Sequence, residues 1–355
     1  NVYTYVADGE TGLLVLNVSD PAAIVEVGRY NTEGSARGVI RASDDVYQDL
    51  IYVADGDKGL LVLELDFPAT FTRLSELDTT GYAESVFMSE KQPNYIYITD
   101  GGAGLKIIKI VDPAEPDLAG SKDTPGYALD AMYFGGNVYV ADGVGGLRVI
   151  DFAQDTGVTT EIGYFDTPGL PSSLGWAESI VIITDYSALR VISVDTPRAP
   201  FEVTYASYQS PAVPGRLAAQ ESAVYVADPW QGLRILDASN PAVPTLLGSY
   251  NTPGTAYDVA ISGDYAYIAA GLQGLRLVDI SDPTSPLEVN SFGQEGFTDY
   301  RAVSVDGEVA FVANGALGIS AIIFSSEPGQ TQQHIFNELV FARDVALSGD
   351  YAYVA

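Results

Sequence analysis

Apolar residues in this chain come in short runs bounded by Gly, Asp and Pro, and within many runs both alternate phases are apolar. In LRVI, at 147–150, Leu147 and Val149 face one side of an extended strand and Ile150 faces the other. A sheet with water on one face alternates cleanly between apolar and polar positions, so strands of this kind are covered on both faces. The run closes a longer unit, YVADGVGGLRVID at 139–151, which reads as a strand, a Gly-bearing hairpin loop and a second strand. Versions of the unit begin at Tyr5, Tyr52, Tyr97, Ile182, Tyr225, Tyr267 and Phe311, and the chain ends inside another, YVA at 353–355. The residue after the first of these strands is Asp8, Asp55, Asp100, Asp142, Asp185, Asp228, Ala270 and Asn314, at intervals of 42 to 47 residues. That is the period of a four-stranded blade.

Each unit divides into four strands. Between the sixth and seventh units they are AYDVAIS (256–262), AYIAA (266–270), LRLVDI (275–280) and LEVNSF (287–292), separated by SGD, a Gly-bearing loop and SDPTSP. Gly, Asp and Pro stand where turns need positive φ, a side-chain cap or a break in the ladder. No segment carries an amphipathic helical pattern. Sheets that need neighbours on both faces find them by stacking around an axis. The expectation is therefore an all-β chain, one eight-bladed β-propeller of four-stranded antiparallel blades forming a single domain over 1–355. A flat β-helix would repeat over a much shorter period.

The ring is expected to close by pairing N- and C-terminal strands, with ARDVALS at 342–348 joining the strands at 13–18 and 26–30. The count gives nine copies of the second strand against eight of each other type, and one blade is expected to take only one copy. The surplus copy belongs either to further sequence, the chain being a window of a longer one, or to strand addition onto a neighbouring molecule. Strand addition would build an oligomer or filament.

The third-strand patterns LRVID, LRILD and LRLVD, with the flanking YVADG, SDPxxP and TPGxA (252–256) elements, resemble those of the LVIVD-repeat family across essentially the whole chain. The resemblance implies a β-propeller from bacterial or archaeal exported or surface proteins and names no activity. Symmetry is broken at 42–50, at SEKQPN (89–94), at DYSAL (185–189) and at the polar SSEPGQTQQH (325–334), where site-specific function is expected.

Composition narrows the partners. A formal net charge of −30, from 47 acidic against 17 basic residues, repels phosphate backbones and rules against nucleic acid. The chain has no cysteine, which excludes disulfides and thiolate chemistry. No apolar run reaches the roughly 20 residues of a transmembrane helix.

The ADGxxG hairpins and TPGxA connectors follow alternate strands, so both fall on one face of the disc. Asp8, Asp55, Asp57, Asp100 and Asp142 are the metal candidates there, with ADGDKG (54–59) the densest cluster. Each repeated Asp is expected to accept backbone N–H groups inside its own hairpin. Ca²⁺ needs about six to eight oxygens at one point, and one Asp per blade does not supply that. The channel mouth is expected to be lined by Arg37, Glu84, Asp130, Ser173, Arg216, Asp258, Arg301, Arg343 and Asp344, as self-neutralising pairs. It is also the best place the fold offers a ligand. His334 is the sole histidine, so histidine-based zinc sites are excluded and a Ser-His-Asp triad would have to use it. No phosphate loop and no sialidase-type Asp box is present. Trp230 and Trp176 are the aromatic contact candidates, with packing between blades the commoner fate of such rings.

These features point to a non-enzymatic extracellular or cell-surface scaffold without a cofactor, binding a protein partner or a second copy. The competing readings are a hydrolase or isomerase with its site at the channel mouth and a Ca²⁺-stabilised adhesin.

Overall fold

The computed structural model describes residues 3–7, 9–17, 25–42, 49–66, 69–89, 91–177, 180–185, 188–207, 217–220, 222–237, 239, 245–293, 299–306, 309–315, 318–323, 332–336, 345–348 and 351–354. Their strands form eight sheets. Seven are four-stranded, at 38–77, 85–122, 130–165, 173–207, 217–250, 258–292 and 302–336. The eighth joins 345–354 to 3–30. Within each four-stranded sheet the strands lie side by side in chain order and antiparallel, as in Asp130–Phe134, Asn137–Ala141, Leu147–Ala153 and Val158–Phe165. First strands of successive sheets lie against one another, and Tyr3–Ala7 of the eighth lies against Gly38–Ala42. The sheets are thus stacked face to face as in a β-propeller. Among the described residues no helix is long and apolar enough to cross a membrane.

The double apolar phase in the sequence is what this stacking uses. Ile51, Val53, Leu61 and Leu63 of the 38–77 sheet pack against Tyr5, Leu13 and Val15 of the sheet before it. The alternate residues Leu50, Tyr52, Leu60 and Val62 pack against Ile96, Ile98 and Ile108 of the sheet after it. Tyr5, Tyr52, Tyr97 and Tyr139, the first residues of the repeated YVAD or YITD, are among the largest fully buried side chains. Burying each ring or branched aliphatic side chain contributes about 1.5–3 kcal/mol, and each contribution needs the neighbouring sheet to be present.

A bulge recurs between the third and fourth strands of the five sheets at 85–122, 130–165, 173–207, 217–250 and 258–292, and again at 38–77 and in the eighth sheet. At several of these bulges the outer strand has a Gly against which the next sheet's turn packs. A Cβ on Gly163 would lie 2.1 Å from the Pro197 carbonyl oxygen, and one on Gly248 would lie 2.3 Å from that of Pro283. The SDPxxP turn thus serves as an outer contact between sheets as well as a break in the chain.

The eighth sheet departs from the expected count. It has five strands in the order Val345–Ser348, Tyr351–Val354, Tyr3–Ala7, Leu13–Asn17 and Val25–Tyr30. Both copies of the second strand fit. Each pairs antiparallel with its own chain neighbour, so the two run in the same direction and meet as a short parallel pair, Tyr5 opposite Tyr353 and Val6 opposite Val354. The strand expected to be surplus therefore has a partner on each edge.

Candidate functional site

Two kinds of loop share one face of the disc: hairpins between second and third strands, and connectors from a fourth strand to the next first strand. Backbone bridges tie them together, at Gly9–Ala36, Gly56–Ala83, Gly101–Ala128 and Gly271–Tyr300. Here the chain places its repeated carboxylates. Asp55, Asp100 and Asp142 are fully buried. Thr32 donates its hydroxyl to Asp55 Oδ1, Thr79 to Asp100 Oδ1 and Thr124 to Asp142 Oδ1, each at 2.5 Å. The Gly126 N–H adds a bond of 2.8 Å to Asp142 Oδ2.

This corrects the expectation that each Asp serves its own hairpin. The donors come from the Thr-x-Gly connector entering the sheet, so the side chain fastens one sheet's exit to the next sheet's hairpin. Only the backbone serves the hairpin in these three, as in the Asp142 N–H donating to the Gly146 carbonyl at 2.9 Å. The expected local capping is found where the loop departs from ADGxxG. Asp185 in DYSAL accepts the Ala188 N–H at 2.7 Å, and Asp228 accepts the Trp230 and Gln231 N–H groups at 2.9 and 3.0 Å.

Burial raises the Asp55 and Asp100 carboxyls from 3.8 to about 6, opposed by the Thr hydroxyl and, at Asp100, by the Lys106 ammonium, while Oδ2 of each carboxylate is buried without a hydrogen-bond partner among the described residues. Asp142 moves in the same direction for the same reason. The residue after the leading Leu of the third strand decides whether a cation stands nearby. Lys106 Nζ lies 3.8 Å from Asp100, Arg148 Nε 3.9 Å from Asp142 and Arg190 Nε 2.5 Å from Asp185. Leu61 occupies that place beside Asp55.

In the 258–292 sheet the carboxylate is missing. Ala270 stands in its place, Thr252 turns its hydroxyl to the Gly254 carbonyl, and Arg276 donates to the Gln273 carbonyl. Substituting Ala270→Asp restores an acceptor for Thr252 and adds a second carboxylate beside Arg276, which already pairs with Glu288 at 3.6 Å. Because burial raises the carboxyls of its neighbours, the gain is expected on acidification, about 1 kcal/mol at about pH 5, measurable by thermal unfolding. An unchanged or lowered Tm would mean that this connector cannot adopt the arrangement of its neighbours.

Asp57 is exposed at a hairpin tip, and Asp8 lies outside the described residues. Among the described residues no three acidic or histidine side chains converge where they could hold a metal ion. Asp55, Asp100 and Asp142 sit in different sheets, each with an oxygen occupied by a threonine hydroxyl.

The residues expected at the channel mouth fall on two alternate positions. Arg37, Glu84 and Arg301 immediately precede the inner strands, whereas Asp130 and Asp258 are the first residues of theirs. Adjacent positions on a strand point to opposite faces, so these do not make one ring. Asp130 accepts the Ala131 N–H and, from the next sheet, the Leu174 N–H, both at 2.9 Å. Asp258 likewise bridges the N–H groups of Val259 and Val303 at 2.8 Å. These two carboxylates tie neighbouring inner strands together. Arg37 pairs with Glu84 at 3.1 Å, and Tyr127 donates to the same carboxylate at 2.8 Å. Arg301 pairs with Asp299 at 2.9 Å and lies 4.4 Å over the Tyr257 ring. Arg216, Arg343 and Asp344 lie outside the described residues, as do the side chains of Ser173, Trp176 and His334. His334 is in an outer strand, opposite Ala321.

Trp230 is 59% exposed at a hairpin tip and is not packed between sheets. Val144 and Leu272 occupy other tips of the same face and are 77% and 58% exposed. The sequence reading passed over these two because a single apolar residue inside a Gly-bearing loop carries no periodic signal.

Comparison with curated proteins finds no match. Similar solved structures share the fold at low identity. Sqt1 from Saccharomyces cerevisiae has a TM-score of 0.71 at 10% identity, covering 91% of this chain and 92% of that one. BamB from Moraxella catarrhalis gives 0.60 at 13%, covering 92% and 94%. Sqt1 from Chaetomium thermophilum, bound to the N-terminus of ribosomal protein L10, gives 0.66 at 13%, covering 87% and 89%. The LVIVD repeat model matches residues 2–32, 34–66, 80–124, 125–163, 215–252, 253–293 and 341–355, so the chain belongs to the LVIVD repeat family.

Proposed function

We propose that the chain is a non-enzymatic interaction scaffold, an eight-bladed ring working outside the cell or at its surface, which holds a protein partner on its hairpin face. One observation carries this reading: a constant frame presents variable tips. Buried Asp, Thr and Gly residues fix the hairpins and connectors, while the outermost tip residues change from Glu10 to Asp57, Gly102, Val144, Trp230 and Leu272. A rigid frame with variable tips suits recognition. The polar groups that chemistry would need are engaged in holding that frame, notably Asp130, Asp142 and Asp258. Carboxylates whose two oxygens are each taken by a hydrogen bond, as in these three, are poor general bases and offer no open coordination position. The acidic, cysteine-free composition motivates the extracellular setting. The partner is sought on the hairpin face because Tyr351–Val354 has a neighbour on each edge. In the Chaetomium Sqt1 structure a fold of this kind holds a peptide terminus.

The absence of cysteine makes the test clean. Photo-crosslinkers attached through Val144→Cys and Trp230→Cys are expected to give one discrete adduct with a native partner, competed by unlabelled protein. Asp264→Cys, on the opposite face, is expected to give none. Equal labelling from both faces would sink the reading. So would turnover of esters, lactones or glycosides that an Asp or Glu substitution abolishes.

A further inference from the structure

The hairpin face is not uniform around the ring. Val144, Trp230 and Leu272 are the exposed tips of the 130–165, 217–250 and 258–292 sheets. Leu170, in the connector after the first of these, is 40% exposed, and so is Tyr127 in the connector before it. One half of the face therefore presents large apolar groups to water, whereas Glu10 and Asp57 are the exposed tips on the other half. Single exposed apolar residues are ordinary, but three such tips among four neighbouring sheets, with Leu170 in the connector between the first two of those sheets, mark a contact surface.

Carboxylates border this row. Asp123 and Asp166 open the two connectors and are exposed, Asp166 while also accepting from Arg148 at 3.0 Å, and Asp78 holds the same place one sheet earlier. Of the cations beside the channel mouth, Arg37 is held by Glu84 and Arg301 by Asp299. The field over the apolar row is therefore negative, in keeping with the net charge of −30.

We propose that this half of the face docks an extended segment of a partner protein in which Lys or Arg alternates with large apolar residues. The apolar side chains meet Val144, Leu170, Trp230 and Leu272, and the cations reach Asp123 and Asp166. Three sheet-to-sheet intervals of about 10 Å separate Val144's sheet from Leu272's, so a strand of roughly nine residues spans the row. This deepens the scaffold reading and rests on it.

The probe is a synthetic peptide of about ten residues alternating Lys and Leu, labelled for fluorescence anisotropy and titrated at physiological salt. A Lys/Ser peptide of the same charge and a Glu/Leu peptide serve as controls. Saturable binding of the Lys/Leu peptide is expected, with both controls at least tenfold weaker. Trp230→Ser with Leu272→Ser, both at exposed tips, is expected to weaken binding about tenfold or more. Asp123→Asn with Asp166→Asn is expected to weaken it several-fold and to flatten its salt dependence. Asp282→Asn, on the opposite face, should leave it unchanged. Equal binding of the Lys/Ser peptide, or indifference to the Trp230 and Leu272 substitutions, would reduce the effect to general charge attraction and overturn the proposal. No binding of the Lys/Leu peptide would overturn the partner chemistry alone, since the crosslinking from Val144 and Trp230 tests the scaffold separately.

Discussion

Replacing Gly126 by alanine is expected to lower the stability of the protein by about 3–4 kcal/mol, a large effect for the addition of one methyl group. The added Cβ would lie 1.8 Å from the Asp142 carbonyl oxygen and 2.5 Å from the Gly145 nitrogen, both backbone atoms that cannot swing aside. The connector must then withdraw from the hairpin. Withdrawal lengthens the Gly126 N–H bond to Asp142 Oδ2 and the Tyr127 N–H bond to the Asp142 carbonyl, now 2.8 and 3.1 Å. It also draws Thr124 away from the other carboxylate oxygen. Overpacking costs about 1–3 kcal/mol, and a hydrogen bond to a charged group contributes about 1.5–3. The estimate takes the overpacking together with one such bond, because partial relaxation spares the others. Gly81→Ala against Asp100 should behave alike, its Cβ meeting the Asp100 carbonyl oxygen at 2.3 Å. Pro125→Ala, at an exposed position of the same connector, should change stability far less. Denaturant unfolding decides the matter. A Gly126→Ala loss below about 0.5 kcal/mol, the range of ordinary surface substitutions, would mean that the connector does not run this close to the hairpin.

That glycine shows where sequence reasoning succeeds and where it stops. The strands were legible because burial on both faces leaves apolar residues in both phases, as in Leu60 to Leu63, and the turns because Gly and Pro restrict the backbone locally. The Asp–Thr pairing was not. Thr124 and Asp142 are 18 residues apart, and nothing local says that a connector passes over a hairpin of the next sheet. The signal that could have found it is the recurrence of Thr-x-Gly ahead of Asp at 32 and 55, 79 and 100, 124 and 142, and 167 and 185. Thr252 ahead of Ala270 blurs it. Asp130 and Asp258 were assigned to the channel mouth with Arg37 and Glu84 through a slip of one residue in alignment. On a strand, one residue exchanges the two faces. The parallel meeting of Tyr3–Ala7 with Tyr351–Val354 was hidden for a different reason. Near-identical strand sequences, YTYVA and YAYV, do not say which neighbour each will take.

The buried carboxylates also set the expected response to pH. Asp55 and Asp100 titrate near 6 in the folded protein against 3.8 for an exposed carboxyl, and burial is the main cause in both. Between these values the folded chain holds more protons than the unfolded one, so stability rises as pH falls from about 7 towards 4. The contribution is fully present below the unfolded value and is lost as pH rises through about 6. A shift of about two units corresponds to a gain on the order of 3 kcal/mol for each group on full acidification. A net charge of −30 acts in the same direction, because protonating surface carboxylates relieves their repulsion. Salt separates the two contributions. Repulsion among exposed charges is screened beyond about 8–10 Å at moderate ionic strength, whereas the desolvation of a buried carboxylate is not. Unfolding free energies measured from pH 7.5 to 4.5 (roughly the span of the shift) in low and high salt are therefore expected to keep a residual slope at high salt. Asp55→Asn should remove part of that slope and raise stability at neutral pH. The precedent lies in the chain itself, where Asn314 accepts the connector's Asp299 N–H at 2.9 Å and donates to Ser320 at 3.1 Å without a charge. If high salt abolished the slope entirely, or Asp55→Asn left it intact, the carboxylates beneath the connectors would have to be better solvated than their burial implies.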